Sequence, residues 1–336
     1  MQCSPQKDKS AQSKYTTPHT PARLNANASP SATRLRLFVL VFCALVVAAC
    51  AGPAANTPPP PPPPGQNVRF GHVFVVVEEN ANYADIIASP SMPYLNGLVS
   101  QYGLATNYFA NAHPSQPDYF ELTAGQTFTP LSLTDSLTPH TFPIDSDNVV
   151  RDLLVAGKTW KSYAENLPSV GYTGDDVGQY SVRHNPLAYF TDVQNDAVQV
   201  QNLVPFTQLA ADVANAHLPD YSFLVPNVCN DAHDCPLSTA DAWLKSNIDP
   251  LINSTQFQKD GLLVIVFDEA GDLDVTSGGG HVVAVVVSPF SKRAYKSIAF
   301  YQHQSVLRLM LEGLGVTKRP GDAATTPAMW EFFNAP

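Results

Sequence analysis

The chain has 336 residues with 19 basic and 29 acidic side chains, a formal net charge of −10 at pH 7. The first 50 residues hold six of the basic side chains and one of the acidic ones, so residues 51–336 carry 13 against 28, a net charge of −15. Such an acidic surface binds nucleic acid poorly, so no nucleic-acid partner is expected. A phosphate-bearing substrate would need a local cation to offset this field.

Residues 1–50 have the pattern of an export signal. Arg34 and Arg36 precede an apolar run, residues 37–49, that ends in small side chains directly before Cys50. A basic flank and a short apolar segment are typical of a secretory signal, and the run is short for a membrane-spanning helix. The small residues before the cysteine resemble a bacterial lipoprotein signal, in which Cys50 becomes lipidated (palmitate included). An ordinary signal peptide or a membrane anchor is the alternative.

A proline-rich linker, residues 51–67, follows the signal and contains seven consecutive prolines from Pro58 to Pro64. Such a run is a stiff, extended spacer, although it also resembles a ligand for a proline-binding module. Residues 68–336 are then expected to form one catalytic domain with a sizeable core. The predicted location is the bacterial cell envelope, with the domain tethered by lipid and facing the periplasm or exterior. Secretion is the alternative.

Strands and helices alternate along this domain. Apolar and β-branched runs predict strands at residues 72–77, 104–109, 159–163, 221–225, 261–267 and 281–287. Helical periodicity predicts helices at residues 92–102, 119–124, 149–156, 204–216, 240–252 and 303–314, and residues 168–195 are expected to form an ordered loop excursion. The alternation predicts an α/β fold, a three-layer sandwich whose central sheet is mostly parallel.

Polar clusters directly follow three of the predicted strands. Glu79 and Asn80 follow the first, Asn227 follows the strand at 221–225, and Asp268 and Glu269 follow the strand at 261–267. Ligands of such sheets bind beyond the carboxyl ends of the strands. These oxygen donors predict a site for one divalent metal ion, with Mg²⁺, Ca²⁺, Mn²⁺ and Zn²⁺ all compatible. The alternative for each carboxylate alone is a solvated strand end or a helix cap.

Ser115 stands on a stiff turn between Pro114 and Pro117, directly after His113. The prolines restrict the backbone, which places the hydroxyl near the start of a helix, where a phosphate is favoured. A metal beside this hydroxyl would activate it to attack phosphorus, leaving a phosphoserine for water to cleave. A simple N-cap is the alternative.

Two cysteines, Cys229 and Cys235, remain in the domain once the first 50 residues are set aside. A pair this close in an exported protein predicts a disulfide that closes a small loop. Asp231, His233 and Asp234 lie inside that loop, so a metal site is the alternative.

Several short motifs occur together over most of residues 73–315. They are Glu79-Asn80-x-x-Tyr83, His113-Pro114-Ser115-x-Pro117-x-Tyr119 with Thr123-x-Gly125, Pro226-Asn227-x-Cys229-Asn230-Asp231-x-His233-Asp234-Cys235, Phe267-Asp268-Glu269 and Gly279-Gly280-His281. This set resembles the phosphoesterase family of acid phosphatases and phospholipases C, within the alkaline-phosphatase superfamily. The resemblance implies an alkaline-phosphatase-like fold and hydrolysis of phosphate esters.

The resemblance also implies roles for individual residues. The metal ligands are expected to be Glu79, Asn80, Ser115, Asp268 and Glu269, with Ser115 also the nucleophile. The substrate is expected to contact Asn227, Asp234 and His281. A serine at position 115 and the small domain favour the acid-phosphatase branch, because phospholipase C members tend to carry threonine there. Asp118 is a departure, since many relatives have asparagine at that position.

Two histidines are candidates for protonating the leaving alcohol, because histidine titrates near neutral pH. His184 lies in a segment that resembles a substrate pocket of the same family, and His233 lies in the loop between the cysteines. A histidine satisfied by backbone partners is the alternative for each. The predicted function is a metal-dependent phosphomonoesterase (acid phosphatase) that acts on phosphate esters at a bacterial membrane. The alternatives are a phospholipase C-type phosphodiesterase and a non-catalytic envelope lipoprotein that binds phosphorylated ligands.

Overall fold

A computed structural model describes residues 68–128 and 137–334. The predictions for the signal, for lipidation at Cys50 and for the linker fall outside these residues. The described strands are β1 (His72–Glu78), β2 (Gly103–Ala105), β3 (Trp160–Ala164), β4 (Leu203–Pro205), β5 (Tyr221–Val225), β6 (Gly261–Phe267), β7 (Ala284–Val287) and β8 (Lys296–Ser297). The described α-helices are α1 (Tyr83–Ile86), α2 (Pro93–Gln101), α3 (Ser115–Ala124), α4 (Val149–Val155), α5 (Thr191–Gln194), α6 (Thr207–Ala214), α7 (Leu237–Ile252), α8 (Thr255–Asp260) and α9 (His303–Gly313).

The described strands form one sheet in the order β4-β3-β5-β1-β6-β7-β2-β8. Strand β1 is central, and its Val75 pairs with Phe223 of β5 on one side and with Val264 of β6 on the other. Strand β7 runs antiparallel to both of its neighbours, whereas the other described pairs are parallel. The prediction of a mostly parallel sheet is therefore confirmed.

The core lies on both faces of this sheet. Strand β6 is buried along its whole length, and Val73–Val77 of β1 are buried as well. Strands with both faces covered are continuous apolar runs, and each such side chain stabilises the fold by about 1.5–3 kcal/mol. Two groups of helices pack together, α3 and α4 against α9, and α7 against α2 and α8. The α/β three-layer architecture is as predicted.

Some element boundaries differ from the prediction. The region predicted as a helix at 204–216 begins instead as strand β4, because Ser162–Ala164 of β3 pair with Leu203–Pro205. Helix α3 begins at Ser115 rather than at Tyr119, because a proline is tolerated in the first turn, where the amide has no helical partner. The strand predicted at 281–287 is confined to Ala284–Val287.

The topology brings the carboxyl ends of β1, β3, β5 and β6 to one edge of the sheet, which we call the carboxyl edge. The polar residues predicted to form a site follow these strands. Within the described residues, no helix combines the length and the apolar character that a membrane crossing requires.

Candidate active site

Ser115 is the first residue of α3 and its side chain is buried at the carboxyl edge. Pro114 precedes it at the N-cap and supplies no side-chain cap, so the hydroxyl stands at an uncapped helix start. The Ser115 Oγ lies 3.0 Å from Glu79 Oε2 and 2.8 Å from Glu269 Oε1. One hydroxyl proton can serve only one of these oxygens at a time. The two carboxylates therefore converge on the serine, as the sequence predicts.

Asn80 and Asp268 complete this group. Asn80 adopts a left-handed backbone conformation (φ 52°), which directs its N–H to Asp268 Oδ1 at 3.1 Å. Its side-chain amide donates to Glu79 Oε2 at 3.2 Å. Asp268 Oδ2 is buried and has no hydrogen-bond partner among the described residues. A buried carboxylate oxygen without a partner is costly, so this oxygen is suited to binding a cation.

The crowded carboxylates have perturbed acidities. Burial, reinforced by the charges of Asp268 and Asp231, raises the pKa of Glu79 well above its ordinary value. Burial and the Asp268 charge raise the pKa of Glu269 to about 8, against the opposing effects of Ser115 and His113. Burial also raises the pKa of Asp268. Burial away from water is the leading cause for all three groups, and neighbouring negative charges add to it at Glu79 and Glu269. A divalent cation would relieve this repulsion.

A second group of side chains adjoins the first through Glu79. His184 is buried with its Nδ1 3.0 Å from Asp231 Oδ2 and its Nε2 3.3 Å from Glu79 Oε1. The Tyr119 hydroxyl donates to the same Glu79 oxygen at 2.5 Å, and the Tyr119 ring stacks on His184 with centroids 5.1 Å apart. Glu79, His184 and Asp231 each offer one potential ligand atom, and these three atoms lie within 4.8 Å of one another.

The residues present fit a divalent metal. The oxygen donors around Ser115 suit Mg²⁺, Ca²⁺ or Mn²⁺, whereas a histidine with two carboxylates also suits Zn²⁺. The unpartnered Asp268 oxygen and the raised pKa values of the surrounding carboxyl groups are the observations behind this fit. The two overlapping donor sets are Glu79, Asn80, Ser115, Asp268 and Glu269 in the first, and Glu79, His184 and Asp231 in the second.

His113 is held beside the group rather than against the serine. Its Nδ1 contacts Glu269 Oε2, and its Nε2 donates to the Asp274 carbonyl at 3.0 Å. The loop after Asp274 packs closely on the segment before His113, because a Cβ on Gly279 would lie 2.2 Å from the Ala112 carbonyl oxygen. The run of glycines therefore permits the approach that brings the Asp274 loop to His113.

Asn227 and Asp234, two of the residues predicted to contact substrate, bind groups of their own loop and of Asn166. The Asn227 side chain accepts from the amides of Cys229 and Asn230 and donates to Asn166, so it organises the loop that follows β5. Asp234 has a side chain that is 60% exposed and lies 2.8 Å from His233 Nδ1. The structure brings neither the Asn227 carboxamide nor the Asp234 carboxylate into contact with Ser115.

His281 is also placed away from the serine. Its ring is stacked between Tyr83 and Phe109, with centroid separations of 4.3 Å and 4.9 Å. Its Nε2 donates to the Thr106 carbonyl at 3.1 Å. In this position His281 packs between two loops, and its contact with substrate stays a prediction.

The predicted disulfide between Cys229 and Cys235 is present. The loop that it closes carries Asp231, whose carbonyl accepts from the Glu79 amide at 2.8 Å and whose Oδ1 accepts from the His233 amide at 2.9 Å. The loop therefore fixes the end of β1 relative to His184 and His233. The ring centroids of His184 and His233 are 5.8 Å apart.

Tyr119 and His303 were not assigned to the site from the sequence, and Asp231 was named only as part of the alternative metal site in the loop between the cysteines. His303 is buried, donates from Nε2 to the Asp268 carbonyl at 2.6 Å and accepts from the Tyr108 hydroxyl at 2.8 Å. It positions the backbone that carries Asp268. Tyr119 and Asp231 both lie within the motifs quoted above, which was the available signal. The adjacency of His303 to Asp268 depends on folding and left no local pattern.

Asp118 departs from the family pattern but does not face the serine. Its Oδ1 accepts from the amides of Asn111 and Ala112, and it lies 3.2 Å from His303 Nε2. Burial raises the pKa of Asp118 well above its ordinary value. The Asp118 carboxyl group thus holds the segment that leads to Ser115.

Glu121, also on α3, is expected to make the stability of the fold depend on pH. Burial raises its pKa to about 7 against the opposing effect of His303, and its Oε2 has no partner among the described residues. The folded state therefore binds more protons than the unfolded state between about pH 4.5 and 7, so stability falls as pH rises through this range. We expect Glu121→Gln to raise the melting temperature at pH 8 by about 5–10 °C, with little change at pH 4.

The matched control is Glu331→Gln. Hydrogen bonds from Ser297, Tyr301 and Tyr295 outweigh burial and lower the pKa of Glu331, so its charged form stabilises the fold. This substitution is expected to lower the melting temperature at pH 8. Melting curves recorded from pH 4 to 8 test both signs. A pH-independent effect of Glu121→Gln would contradict the argument.

The comparison with known proteins agrees with the geometry. A profile of the Phosphoesterase family matches residues 87–317. The chain belongs to this family. An acid phosphatase of Aspergillus fumigatus is 31% identical over 249 residues, which cover 72% of this chain and 54% of that protein. A phosphatidylinositol-3-phosphatase of Mycobacterium tuberculosis is 36% identical over 203 residues, covering 60% and 64%. This phosphoesterase therefore matches 54% and 64% of the length of these two relatives, less than two thirds of each.

Solved structures support the fold. A protein of the alkaline phosphatase superfamily from Vibrio parahaemolyticus superposes with a TM-score of 0.52 at 14% identity, covering 79% of this phosphoesterase and 72% of that chain. The lipoteichoic acid synthase LtaP from Listeria monocytogenes gives a TM-score of 0.51 at 13% identity, covering 79% and 78%. The predicted alkaline-phosphatase-like fold is confirmed.

Proposed function

We propose that this phosphoesterase is a metal-dependent phosphomonoesterase that uses Ser115 as its nucleophile. The single observation that carries the proposal is the buried Ser115 hydroxyl at an uncapped helix start, between Glu79 and Glu269. A nucleophile needs a neighbouring base, and phosphate is favoured at a helix start. The relatives named above are phosphatases by name, which favours phosphate monoesters over diesters.

In the proposed reaction, Ser115 Oγ attacks phosphorus and its proton passes to Glu269, 2.8 Å away. The bond from phosphorus to the alcohol oxygen breaks, and water later hydrolyses the phosphoserine to release phosphate. Glu79, Asn80, Asp268 and Glu269 would hold the metal together with Ser115. When bound, a divalent cation supplies Lewis-acid stabilisation of charge on the phosphoryl oxygens.

His233 is assigned to protonate the leaving alcohol. Its side chain is 33% exposed, so it can exchange protons with solvent, and it lies beside His184. His184 is instead enclosed between Asp231 and Glu79. We assign His184 to binding the phosphoryl group or the metal.

We expect His233→Ala to reduce hydrolysis of alkyl phosphates by at least about 10²-fold, because alkoxides are poor leaving groups that need a general acid. Hydrolysis of p-nitrophenyl phosphate should change far less, because nitrophenolate departs without protonation. Steady-state kcat values for the two substrates measure this difference.

The control is His217→Ala, which removes an exposed histidine from a different part of the surface. It should leave both rates unchanged. Equal losses on alkyl and nitrophenyl substrates in His233→Ala would assign His233 to positioning rather than to proton transfer.

Release of inorganic phosphate from an aryl phosphate by the purified full chain, with each divalent metal added in turn, tests the function itself. Hydrolysis of a phosphocholine diester in preference would favour the phospholipase C alternative. Metal binding without turnover on a broad panel of phosphate esters would favour the non-catalytic lipoprotein.

We further propose that a lipid on Cys50 tethers the chain to a bacterial membrane. The support is the basic flank, the apolar run and the small residues before that cysteine. Metabolic labelling with a palmitate analogue should mark the unsubstituted chain and not Cys50→Ser. Labelling of both would refute the assignment.

A further inference from the structure

The carboxylates of Glu79 and Asp268 each have one oxygen that the protein itself engages. Glu79 Oε1 accepts from the Tyr119 hydroxyl at 2.5 Å, whereas Glu79 Oε2 lies 3.0 Å from the Ser115 hydroxyl. Asp268 Oδ1 accepts from the Asn80 amide at 3.1 Å, whereas the buried Asp268 Oδ2 has no hydrogen-bond partner among the described residues. In each group, therefore, the two oxygens have different surroundings.

The Glu269 carboxylate is divided in the same way. Its Oε2 contacts His113 Nδ1, and its Oε1 lies 2.8 Å from the Ser115 hydroxyl. His113 is fixed in turn, because its Nε2 donates to the Asp274 carbonyl at 3.0 Å. Each of the three carboxylates around the serine thus has one oxygen engaged by a neighbouring hydroxyl or nitrogen and one oxygen left for a cation.

Tyr119 holds its carboxylate oxygen firmly. It is buried, and its ring stacks on His184 with centroids 5.1 Å apart. The same Glu79 Oε1 lies 3.3 Å from His184 Nε2, so this oxygen is enclosed between a phenol and an imidazole. If Glu79 turned to present both oxygens to one cation, it would break the bond to Tyr119 and leave a buried hydroxyl without a partner, which is costly.

The number of oxygens left for a cation follows from this arrangement. Three carboxylates contribute one oxygen each, and Ser115 Oγ and Asn80 Oδ1 add two more, because the Asn80 side-chain nitrogen is used on Glu79. Ca²⁺ takes about six to eight oxygens and often binds both oxygens of a carboxylate, whereas Mg²⁺ requires an octahedral set at shorter distances. Mn²⁺ also suits an octahedral set of oxygens.

We propose that Tyr119 is a positioning residue that limits Glu79 to one metal-binding oxygen, so that the candidate active site prefers Mg²⁺ or Mn²⁺ to Ca²⁺. We call this limit the one-oxygen restriction. The contacts of His113 with Glu269 and of the Asn80 amide with Asp268 impose the same restriction on the other two carboxylates. The inference rests on the metal dependence proposed above and does not depend on turnover.

Cation binding to the unsubstituted full chain tests this preference without any substitution. The chain is stripped with chelator and titrated with Mn²⁺ or with Ca²⁺ in a calorimeter, in the absence of substrate. We expect Mn²⁺ to bind at least about tenfold more tightly than Ca²⁺, because the ligand number and the fixed carboxylates suit the smaller ion. Equal or tighter binding of Ca²⁺ would overturn the proposal.

Tyr119→Phe removes the hydroxyl that engages Glu79 Oε1 and keeps the ring that stacks on His184. The dissociation constant for Mn²⁺ should rise about tenfold, the scale seen when a group that orients a metal ligand is lost. The constant for Ca²⁺ should stay the same or fall, because Glu79 can then present both oxygens. Equal weakening of both cations would overturn the proposal, since Tyr119 would then act through packing alone.

Tyr163→Phe is the matched control. Tyr163 is also buried, and its hydroxyl donates to Asp212 Oδ2 at 2.6 Å, a carboxylate outside the candidate active site. This variant should leave the ratio of the two dissociation constants unchanged, and circular dichroism verifies the fold of both variants. The same change of ratio in Tyr163→Phe as in Tyr119→Phe would overturn the assignment to Tyr119.

The experiment separates this inference from the proposed function. A chain that binds neither cation would refute the metal-dependent reaction together with the one-oxygen restriction. A chain that prefers Ca²⁺ and hydrolyses an aryl phosphate with that ion would keep the proposed function and refute the restriction alone.

Discussion

Replacing Ser115 with alanine is expected to reduce phosphate release by at least about 10³-fold, the scale seen when a nucleophile is removed. The reason is specific to the geometry, because the Ser115 hydroxyl is the group that stands between Glu79 and Glu269 at the start of α3. Loss of Oγ removes both the attacking atom and one proposed metal ligand. The fold should persist, since alanine fits a position occupied by serine and favours a helix.

The measurement is kcat on an aryl phosphate, with circular dichroism to verify the fold. Ser222→Ala is the matched control, because Ser222 is also buried and its hydroxyl has no hydrogen-bond partner among the described residues. Ser222 lies on β5, which β1 separates from β6, the strand that Asp268 follows. The variant should retain full activity. Comparable activity of Ser115→Ala and the unsubstituted chain would refute the nucleophile assignment.

Divalent metal is expected to raise the melting temperature by about 5–10 °C at a concentration about 100 times its dissociation constant, which corresponds to about 2.7 kcal/mol. The physical reason is that binding relieves the repulsion that raises the pKa of Glu79 and Glu269. Asp268→Asn should reduce this shift to less than half. The same variant should be no less stable than the unsubstituted chain in chelator, because it removes one crowded charge.

Asp212→Asn is the control for this experiment. Asp212 is a carboxylate of low exposure that accepts from Lys161 at 2.5 Å and from Tyr163 at 2.6 Å, remote from the serine. Its loss should lower the melting temperature in chelator and leave the metal-induced shift intact. Scanning calorimetry with and without metal separates the two behaviours. An equal metal shift in Asp268→Asn and the unsubstituted chain would exclude Asp268 as a ligand.

The sheet and the residues at its carboxyl edge were predictable for a physical reason. Strands such as β1 and β6 are covered on both faces, so their sequences contain apolar runs that end abruptly, at Glu78 and Glu79 after β1's valines and at Asp268 after β6. Parallel topology then brings such ends together regardless of their separation in the chain. The grouping of Glu79, Asn80, Asp268 and Glu269 follows from these two facts, whereas Ser115 joins them from the start of α3.

The rest depended on contacts that leave no local pattern. Strand β4 has three residues and exists because β3 lies beside it, so the helical periodicity of the following segment concealed it. The position of His281 is decided by the stacking of Tyr83 and Phe109 around it. The participation of Asp231 requires that the loop after β5 contact the end of β1, and that of His184 requires that the segment between β3 and β4 contact both. A sequence motif identifies such residues but does not indicate which side chains they contact.

The loop closed by Cys229 and Cys235 has a bearing on how this phosphoesterase can be produced. The loop carries Asp231, whose carbonyl accepts from the Glu79 amide and whose carboxylate contacts His184. The disulfide is thus connected through Asp231 to Glu79, whose carboxylate lies beside Ser115. In a reducing cytosol the apolar sheet can still assemble, because its burial does not involve either thiol. Recombinant material made there would be expected to keep its secondary structure while holding that carboxylate less firmly. We therefore expect oxidative folding to affect the proposed catalysis more than the assembly of the sheet.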